Sequence, residues 1–256
     1  MIEGLPSATG ITICLVIPCY NEAHRLKAAE FHNFLGTSQT TFLLFVDDGS
    51  SDNTFSILQE MCNNYGAHAT VLRNDRNKGK AETVRTGINY ALSKLAPDVI
   101  GFWDADLATP LSAVPNLLSV LEGHATAEMV FGSRIKLLGR HVERRPIRHY
   151  LGRVFATVVS ILLRLPIYDS QCGAKLFRVD SATTEVFAAP FLSRWVFDVE
   201  ILARYLKIYN NDANYLREII FEYPLETWVD VAGSKVRPAD FVRAALDLLR
   251  IWRAYL

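Results

Sequence analysis

Short apolar runs and amphipathic stretches alternate along the first half of the chain. Apolar runs typical of buried strands lie at residues 11–18, 42–46, 69–72, 99–103 and 128–132. Between them, apolar positions recur with the helical period and predict helices over residues 22–35, 55–65 and 80–95. This alternation predicts an α/β fold, in which helices flank a mostly parallel open sheet on both faces.

The second half carries two amphipathic stretches. Five arginines lie in residues 140–153, and the apolar stretch 154–163 follows them. Ten residues give about 15 Å of helix, at most half a bilayer core. The pattern is typical of an interfacial helix on an anionic membrane, but a core helix with a solvated basic end has the same pattern. The helix predicted over residues 238–256 is likewise open to core packing or membrane contact.

Polar clusters follow the predicted strands at residues 20–22, 47–52, 74–80 and 104–106. Because parallel strands bring these ends to one edge of the sheet, the clusters are expected to share a crevice. In an extended segment, Asp104 and Asp106 would project to the same side. Two such carboxylates suit Mg²⁺ or Mn²⁺ together with substrate phosphates. Thr109 is the predicted N-cap, and Pro110 the first residue, of a helix ending at Leu121.

Composition restricts the class of protein. Half of the residues are apolar and 21% are charged, which indicates a folded core. Lys plus Arg equals Asp plus Glu, so the net charge is zero and a general nucleic-acid surface is not expected. The four scattered cysteines indicate reduced thiols in a cytosolic chain. No signal peptide is evident in residues 1–10, and no apolar run approaches the roughly 20 residues of a membrane span.

Four segments together resemble the inverting GT-A glycosyltransferases, which use nucleotide sugars as donors. They are Val-Ile-Pro-Cys-Tyr-Asn-Glu at 16–22, Val-Asp-Asp-Gly-Ser-Ser-Asp at 46–52, Asn-Lys-Gly-Lys at 77–80 and Asp-Ala-Asp at 104–106. The resemblance implies that the nucleoside contacts Pro18, Tyr20, Glu22, Val46 and Asp48. It also implies that Asp104, Ala105 and Asp106 contact the donor, that the two aspartates bind the metal and that Asp106 is closest to the ion. Lys80 and Arg134 would approach the diphosphate or the sugar.

Three downstream segments narrow the resemblance to the dolichyl-phosphate β-glucosyltransferases. They are Asp-Ser-Gln-Cys-Gly-Ala-Lys-Leu-Phe at 169–177, Arg-Trp-Val-Phe-Asp-Val-Glu at 194–200 and Gly-Ser-Lys at 233–235. The polyprenyl-phosphate mannosyltransferases are slightly less similar, since they carry an arginine where this chain has Asp230 and a glutamine where it has Ala108. The amino-terminal membrane anchor of the eukaryotic glucosyltransferases is not seen. One GT-A domain over residues 1–256 is expected, with a nucleotide-sugar half at 11–135 and an acceptor half at 136–256.

This resemblance implies transfer of glucose from UDP-glucose, with inversion, onto a polyprenyl or dolichyl monophosphate. A phosphate monoester is largely a dianion at pH 7, so it needs orientation more than a general base. Arg144, Arg145, Arg148 and Lys235 are the predicted acceptor contacts. Asp169 is a further candidate for a catalytic or orienting carboxylate, or it fixes the following loop. The expected location is cytoplasmic, on the cytoplasmic face of a membrane as a peripheral protein.

Other functions remain open from the residues alone. A mannosyltransferase would use GDP-mannose with the same lipid phosphate, and a GT-A enzyme with a soluble acceptor would need a general base. A nucleotide-sugar-binding protein without turnover is disfavoured by the Asp104 and Asp106 pair. The glycine-rich opening loop of a nucleotidyltransferase is missing. Trp195, Asp198 and Glu200 match the family, but their spacing indicates no chemistry.

Overall fold

A computed structural model describes residues 10–143, 146–231 and 238–256 of the chain. The strands are β1 (Ile13–Cys19), β2 (Thr41–Asp47), β3 (Ala69–Arg73), β4 (Val99–Trp103), β5 (Met129–Ser133), β6 (His141–Glu143), β7 (Ala174–Arg178), β8 (Ile220–Pro224) and β9 (Thr227–Val229). The helices are α1 (Ala28–Thr37), α2 (Thr54–Tyr65), α3 (Lys80–Lys94), α4 (Val114–Gly123), α5 (Pro146–Leu163), α6 (Ser181–Ala188), α7 (Phe197–Ile208), α8 (Ala213–Ile219) and α9 (Pro238–Tyr255).

The predicted α/β class is confirmed, since helices flank a mostly parallel central sheet of seven strands. β1 pairs in parallel with β2 and β4, and β2 pairs in parallel with β3. β7 runs antiparallel to β4, and β5 pairs in parallel with β8. A separate two-stranded sheet joins β6 and β9. The parallel pairing of β1 to β4 brings the carboxyl ends of these four strands to one edge.

The chain divides into two compact units. The first contains Met1–Leu107 and Ala174–Pro190, and the second contains Ala108–Gly173 and Phe191–Leu256. In the first unit, β1, β2 and β4 are almost wholly buried, as their continuous apolar runs predict. A Cβ at Gly87 of α3 would lie 2.4 Å from Val16 Cγ1, so this glycine lets α3 pack closely against β1. The single-domain organisation with halves at 11–135 and 136–256 stays a prediction.

Two predicted helix starts are wrong. Residues 22–27 form a turn, in which Arg25 N and Leu26 N donate to Glu22 O, and α1 begins only at Ala28. Pro110 is extended, with ψ 149°, and a single 3₁₀ turn precedes α4, which begins at Val114 without a side-chain cap. Thr109 is therefore not the N-cap of this helix. The second proline, Pro115, lies in the first turn of α4, where proline fits a helix.

The four cysteines carry free thiols, and Cys14, Cys19 and Cys172 are buried. Burial raises the pKa of the less buried Cys62 thiol to about 12, which keeps it protonated at neutral pH. Within the three described ranges, no helix combines the length and the apolar character that crossing a membrane requires.

Candidate active site

Hydrogen bonds lock the loop after β1 to the loop after β2. Asn21 N donates to Ser50 Oγ at 2.9 Å, and Ser51 N donates back to Asn21 Oδ1 at the same distance. Glu22 N donates to Thr54 Oγ1 at 2.8 Å. Asn21 adopts a positive φ of 51°, which asparagine tolerates better than most residues. The two loops therefore form one continuous surface at the carboxyl edge of the first unit's strands.

Asp48 fixes the loop between β3 and α3. Its Oδ1 accepts from Lys78 N at 2.8 Å and from Asn74 Nδ2 at 3.0 Å, and its Oδ2 accepts from Gly79 N at 2.8 Å. The side chain is buried, so these bonds satisfy a carboxylate that water does not reach. Asp48 thereby sets where α3 begins and where its first residue, Lys80, lies. The predicted nucleoside contact of Asp48 stays a prediction.

Gly49 packs directly against this loop. Its φ is +67°, and a Cβ there would lie 2.7 Å from the carbonyl carbon of Arg76. We expect Gly49→Ala to lower the free energy of unfolding by about 2–4 kcal/mol, because it combines left-handed strain with a backbone clash. Urea denaturation measures this change. Gly66→Ala is the matched control, since Gly66 has φ +60° but open space around its Cβ position. Equal losses in the two variants would contradict the packing argument.

Asp104 and Asp106 lie in a turn, and the extended conformation predicted for them is wrong. β4 ends at Trp103, and Leu107 N donates to Asp104 O at 3.1 Å. The turn forms because β4 ends before the aspartates and Leu107 takes a positive φ of 52°. Lys80 Nζ lies 2.5 Å from Asp104 Oδ1, and both side chains are about one-third exposed. The structure thus joins the start of α3 to the carboxyl end of β4.

Arg25, which no sequence motif singled out, forms an ion pair with Glu22 and feels the charge of Asp106. Arg25 Nε donates to Glu22 Oε2 at 2.6 Å, and Arg25 Nη2 contacts Glu22 Oε1. Burial acts to lower the pKa of Arg25, but the hydrogen bond and charge of Glu22 and the charge of Asp106 raise it overall. The available signal was the spacing of three residues between Glu22 and Arg25, which suits an ion pair in one helical turn.

The remaining predicted donor contacts differ in exposure. Pro18 and Val46 are register neighbours on β1 and β2. Val46 and Ala105 are buried, whereas Pro18 and Tyr20 are partly exposed. Their contacts with a nucleotide sugar stay predictions.

Two carboxylates of this site fit a divalent cation that also has phosphate ligands. Across the described ranges, no group of three or more His, Cys, Asp and Glu side chains is arranged to hold a metal ion. Mg²⁺, however, commonly takes one or two protein carboxylates and completes its shell with water and substrate phosphates. Asp104 and Asp106 are partly exposed oxygen donors on one turn, and cationic side chains compensate their charge. The donor set is therefore suited to a cation carried with a diphosphate.

A second residue missed from the sequence is Lys175, the second residue of β7. It is fully buried and is the register partner of Phe102 on β4. Its Nζ lies 5.5 Å from the centroid of the Phe102 ring, and Lys80 Nζ lies 6.0 Å from the same centroid. The ring is within cation–π range of both ammonium groups. The sequence signal was a lysine placed between apolar residues, Ala174 and Leu176.

In the second unit, Arg134 and Asp169 form a bidentate ion pair. Arg134 Nε and Nη2 donate to the two Asp169 oxygens at 2.5 and 2.6 Å, and Arg134 N donates to Oδ2 at 3.1 Å. The guanidinium carbon lies 5.4 Å from the centroid of the Trp228 ring. Asp169 therefore orients Arg134, which agrees with the orienting role among those predicted for it.

Glu222 of β8 accepts hydrogen bonds from the backbone at Asp169, and no sequence pattern pointed to this residue. Its two oxygens accept from Tyr168 N at 2.8 Å and from Asp169 N at 2.7 Å. Burial raises the pKa of Glu222 above its usual 4.5, even though hydrogen bonds from Ser133, Tyr168 and Asp169 act to lower it; the charge of Asp169 adds to the rise.

Because the pKa of Glu222 is raised in the folded protein, ionisation of this side chain at higher pH is expected to lower the free energy of unfolding. Because folding favours the protonated form, the stabilisation is complete below pH 4.5 and is lost as the pH rises through the raised pKa. Glu222→Gln cannot ionise, although it loses one hydrogen bond worth about 1 kcal/mol at every pH. We therefore expect the free energy of unfolding of Glu222→Gln, relative to that of the wild type, to be higher at pH 7 than at pH 4.5. Urea denaturation at both pH values tests this, and a constant difference would contradict it.

The predicted acceptor contacts fall largely outside the description. Arg144, Arg145 and Lys235 lie outside the described residues, and so does the side chain of Arg148. Their roles stay predictions. The neighbouring Arg153 of α5 is described, and its guanidinium carbon lies 4.0 Å from the centroid of the Tyr168 ring.

Glu200 is a buried structural centre of the second unit. It accepts from Leu192 N at 2.9 Å, from Arg204 Nη2 at 2.8 Å and from the Tyr255 hydroxyl at 2.9 Å. Ser193 N donates to it at 3.2 Å. These bonds connect α7, the segment before it and the end of α9. The family motif around Glu200 thus has a structural reason that its spacing did not reveal.

Comparisons with known proteins identify the family. The model of glycosyl transferase family 2 matches residues 14–184. The chain is 32% identical to dolichyl-phosphate beta-glucosyltransferase of Saccharomyces cerevisiae over 96% of this chain and 75% of the relative. The mouse, Mus musculus, dolichyl-phosphate beta-glucosyltransferase is also 32% identical, over 99% of this chain and 80% of the relative.

Among solved structures, glucosyl-3-phosphoglycerate synthase from Mycobacterium tuberculosis is similar in fold. Its complex with Mn²⁺, UDP and glucosyl-3-phosphoglycerate superposes with a TM-score of 0.66 at 20% identity, covering 95% of this chain and 81% of that one. With its parallel strands, its acidic turn after β4 and this match over most of its length, the chain belongs to glycosyl transferase family 2.

Proposed function

We propose that this glycosyltransferase moves glucose from UDP-glucose, with inversion, onto a polyprenyl or dolichyl monophosphate, using Mg²⁺ or Mn²⁺. The main observation in support of this function is the Asp104–Asp106 turn beside Lys80 at the carboxyl end of β4. This arrangement is suited to binding a sugar diphosphate. The relatives' name, dolichyl-phosphate beta-glucosyltransferase, supports the choice of glucose and of the lipid phosphate. Residues 11–135 would bind the donor and residues 136–256 the acceptor.

On the donor side, the residues stabilise the charge that develops on the leaving diphosphate. A divalent cation held by Asp104 and Asp106 supplies Lewis-acid and charge stabilisation when bound. Lys80 places one further positive charge at this site, in a position fixed by the hydrogen bonds of Asp48 to the preceding loop. We assign Arg134, oriented by Asp169, to the diphosphate or the sugar.

On the acceptor side, the chain needs to orient a nucleophile that is already ionised. A phosphate monoester is mostly a dianion at pH 7, so its oxygen attacks without a general base. We assign this orientation to Arg144, Arg145, Arg148 and Lys235. Asp169 accepts hydrogen bonds from the side chain and the backbone amide of Arg134. These bonds support a role in orienting Arg134 rather than a role as a general base.

We assign the protein to the cytoplasmic face of a membrane as a peripheral protein, and exposed apolar side chains support the membrane contact. On α5 they are Tyr150, Leu151, Val154, Val158 and Ile161, and on α9 they are Leu246, Leu249 and Trp252. Other residues of the same helices, Val159 on α5 and Ile251 on α9, are fully buried. Each helix thus has both buried and exposed apolar side chains. The exposed ones, with basic residues nearby, are suited to the boundary between lipid headgroups and acyl chains.

Vesicle binding tests this membrane contact. Val154→Ser combined with Ile161→Ser is expected to weaken co-sedimentation with anionic vesicles by about tenfold, because each change removes apolar area from the contact. Replacing Arg144, Arg145 and Arg148 with Ala should weaken it further at low salt. Tyr215→Ser is the control, since Tyr215 is an exposed large side chain on another helix, α8. Unchanged binding in both sets of variants would refute the membrane contact.

A donor panel tests the proposed reaction. The protein is incubated with Mg²⁺, polyprenyl phosphate and radiolabelled UDP-glucose, GDP-mannose or other nucleotide sugars, and label is counted in the organic phase. We expect label from UDP-glucose. Label from GDP-mannose instead would identify a mannosyltransferase, and label only in a water-soluble product would identify a soluble acceptor. No transfer from any donor would refute the proposed function.

A further inference from the structure

Asp104 of the Asp104–Asp106 turn already forms an ion pair with a cationic side chain. Lys80 Nζ lies 2.5 Å from Asp104 Oδ1, and Asp106 acts through its charge on Arg25. The Lys80–Asp104 ion pair joins two segments of the first unit that are distant in sequence. The turn is therefore charge-compensated by the protein itself.

The position of Lys80 is fixed from its amino-terminal side. Asp48 binds the backbone amides of Lys78 and Gly79, and Lys80 is the next residue and the first of α3. Thr83 N donates to Gly79 O at 3.0 Å, which closes the first helical turn. The Lys80 backbone is therefore held, and only its side chain is able to change partner.

A divalent cation held by Asp104 would share this carboxylate with the Lys80 ammonium, which lies against Oδ1. Two positive groups at one carboxylate repel each other, and a dication gains less from a carboxylate that already holds an ammonium. A diphosphate offers Lys80 an alternative anion. Binding of the diphosphate would then leave Asp104 to the cation.

We propose that Lys80 is an internal counter-ion that competes with the divalent cation for Asp104 and moves to the donor diphosphate, so that cation and nucleotide bind cooperatively. This inference rests on the proposed function, because it assumes a nucleoside diphosphate as the ligand. Linkage requires the effect to be reciprocal, so the cation strengthens nucleotide binding by the factor by which the nucleotide strengthens cation binding.

Mn²⁺ binding, followed by the electron paramagnetic resonance signal of the free ion, tests the proposal. The titration is run on wild type and Lys80→Met, each with and without UDP. Without UDP, Lys80→Met is expected to bind Mn²⁺ roughly five- to tenfold more tightly, the order expected from losing one exposed ion pair together with its repulsion. The factor by which UDP strengthens Mn²⁺ binding should be smaller in the variant than in the wild type.

Lys78→Met is the matched control. It removes the same charge two residues away, from an exposed side chain whose backbone amide still reaches Asp48. It should leave Mn²⁺ affinity within about twofold of wild type, because an exposed charge is screened by solvent and salt. Lys80→Gln, a polar replacement, should behave as Lys80→Met does, and thermal unfolding checks that both variants are folded.

The proposal is overturned if Lys80→Met and Lys80→Gln bind Mn²⁺ no more tightly than the wild type, or if Lys78→Met has the same effect. It is also overturned if no protein in the set binds Mn²⁺ at millimolar concentration with UDP present. These titrations contain neither sugar nor acceptor. A Lys80 effect without label in the organic phase would therefore refute the proposed reaction alone, and label without a Lys80 effect would refute the counter-ion alone.

Discussion

Asp106→Ala is expected to reduce transfer of glucose to polyprenyl phosphate by at least about 10²-fold. Removing a preorganised electrostatic contact at a developing charge has an effect of this order. The charge of Asp106 also acts on Arg25, so its loss removes one of the negative charges that act on this side chain. The measurement is the kcat for label entering the organic phase, at saturating donor and acceptor, over a range of Mg²⁺ concentrations.

Glu60→Ala is the control for this variant. Glu60 is an exposed carboxylate on α2 in the same unit, so the change removes the same charge away from the site. It should retain kcat within about twofold, as expected for a surface substitution. Turnover of Asp106→Ala close to that of Glu60→Ala would exclude Asp106 from the reaction.

Glu200→Ala is expected to lower the free energy of unfolding by about 3–5 kcal/mol. Glu200 is fully buried, and its removal takes one carboxylate away from the buried charge of Arg204. The amides of Leu192 and Ser193 also lose their acceptor. Chemical denaturation measures the loss, which is large relative to the stability of most domains.

Glu185→Ala provides the comparison, because Glu185 is an exposed glutamate on α6. Its effect should stay within about 0.5 kcal/mol. The double variant Glu200→Met with Arg204→Met should recover part of the loss, since it removes both charges and retains apolar volume. A loss in Glu200→Ala no greater than that in Glu185→Ala would show that the buried pair adds nothing to stability.

The first five strands were predictable from local sequence, whereas β6, β7, β8 and β9 were not predicted. The run at 99–103 matches β4 residue for residue, since an apolar run of that length has few alternatives to a buried strand. The helix starts failed because the local signals were ambiguous. Pro110 and Pro115 both suit the start of a helix, and only the observed backbone of Pro110 shows that the helix begins after it.

The site was predictable in outline because parallel strands collect their loops at one edge. Lys80 and Asp104 are in contact although they lie far apart in the sequence. The missed residues depend on partners that no local pattern reveals. Glu222 binds Tyr168 N across 54 positions, and Lys175 gains its neighbour Phe102 only through antiparallel pairing with β4. Such roles are set by register, which the sequence pattern did not specify.

The bonds from Asp48 to Lys78 and Gly79, with Gly49 lying against Arg76, have a consequence for engineering. The position of the β3–α3 segment depends on Asp48 and Gly49, which follow β2, as well as on its own residues. Grafting that segment from another enzyme to alter donor choice would therefore succeed only if residues 48–49 were exchanged with it. Inserting or deleting a residue between Asn74 and Gly79 would shift Lys80 and uncouple the two segments.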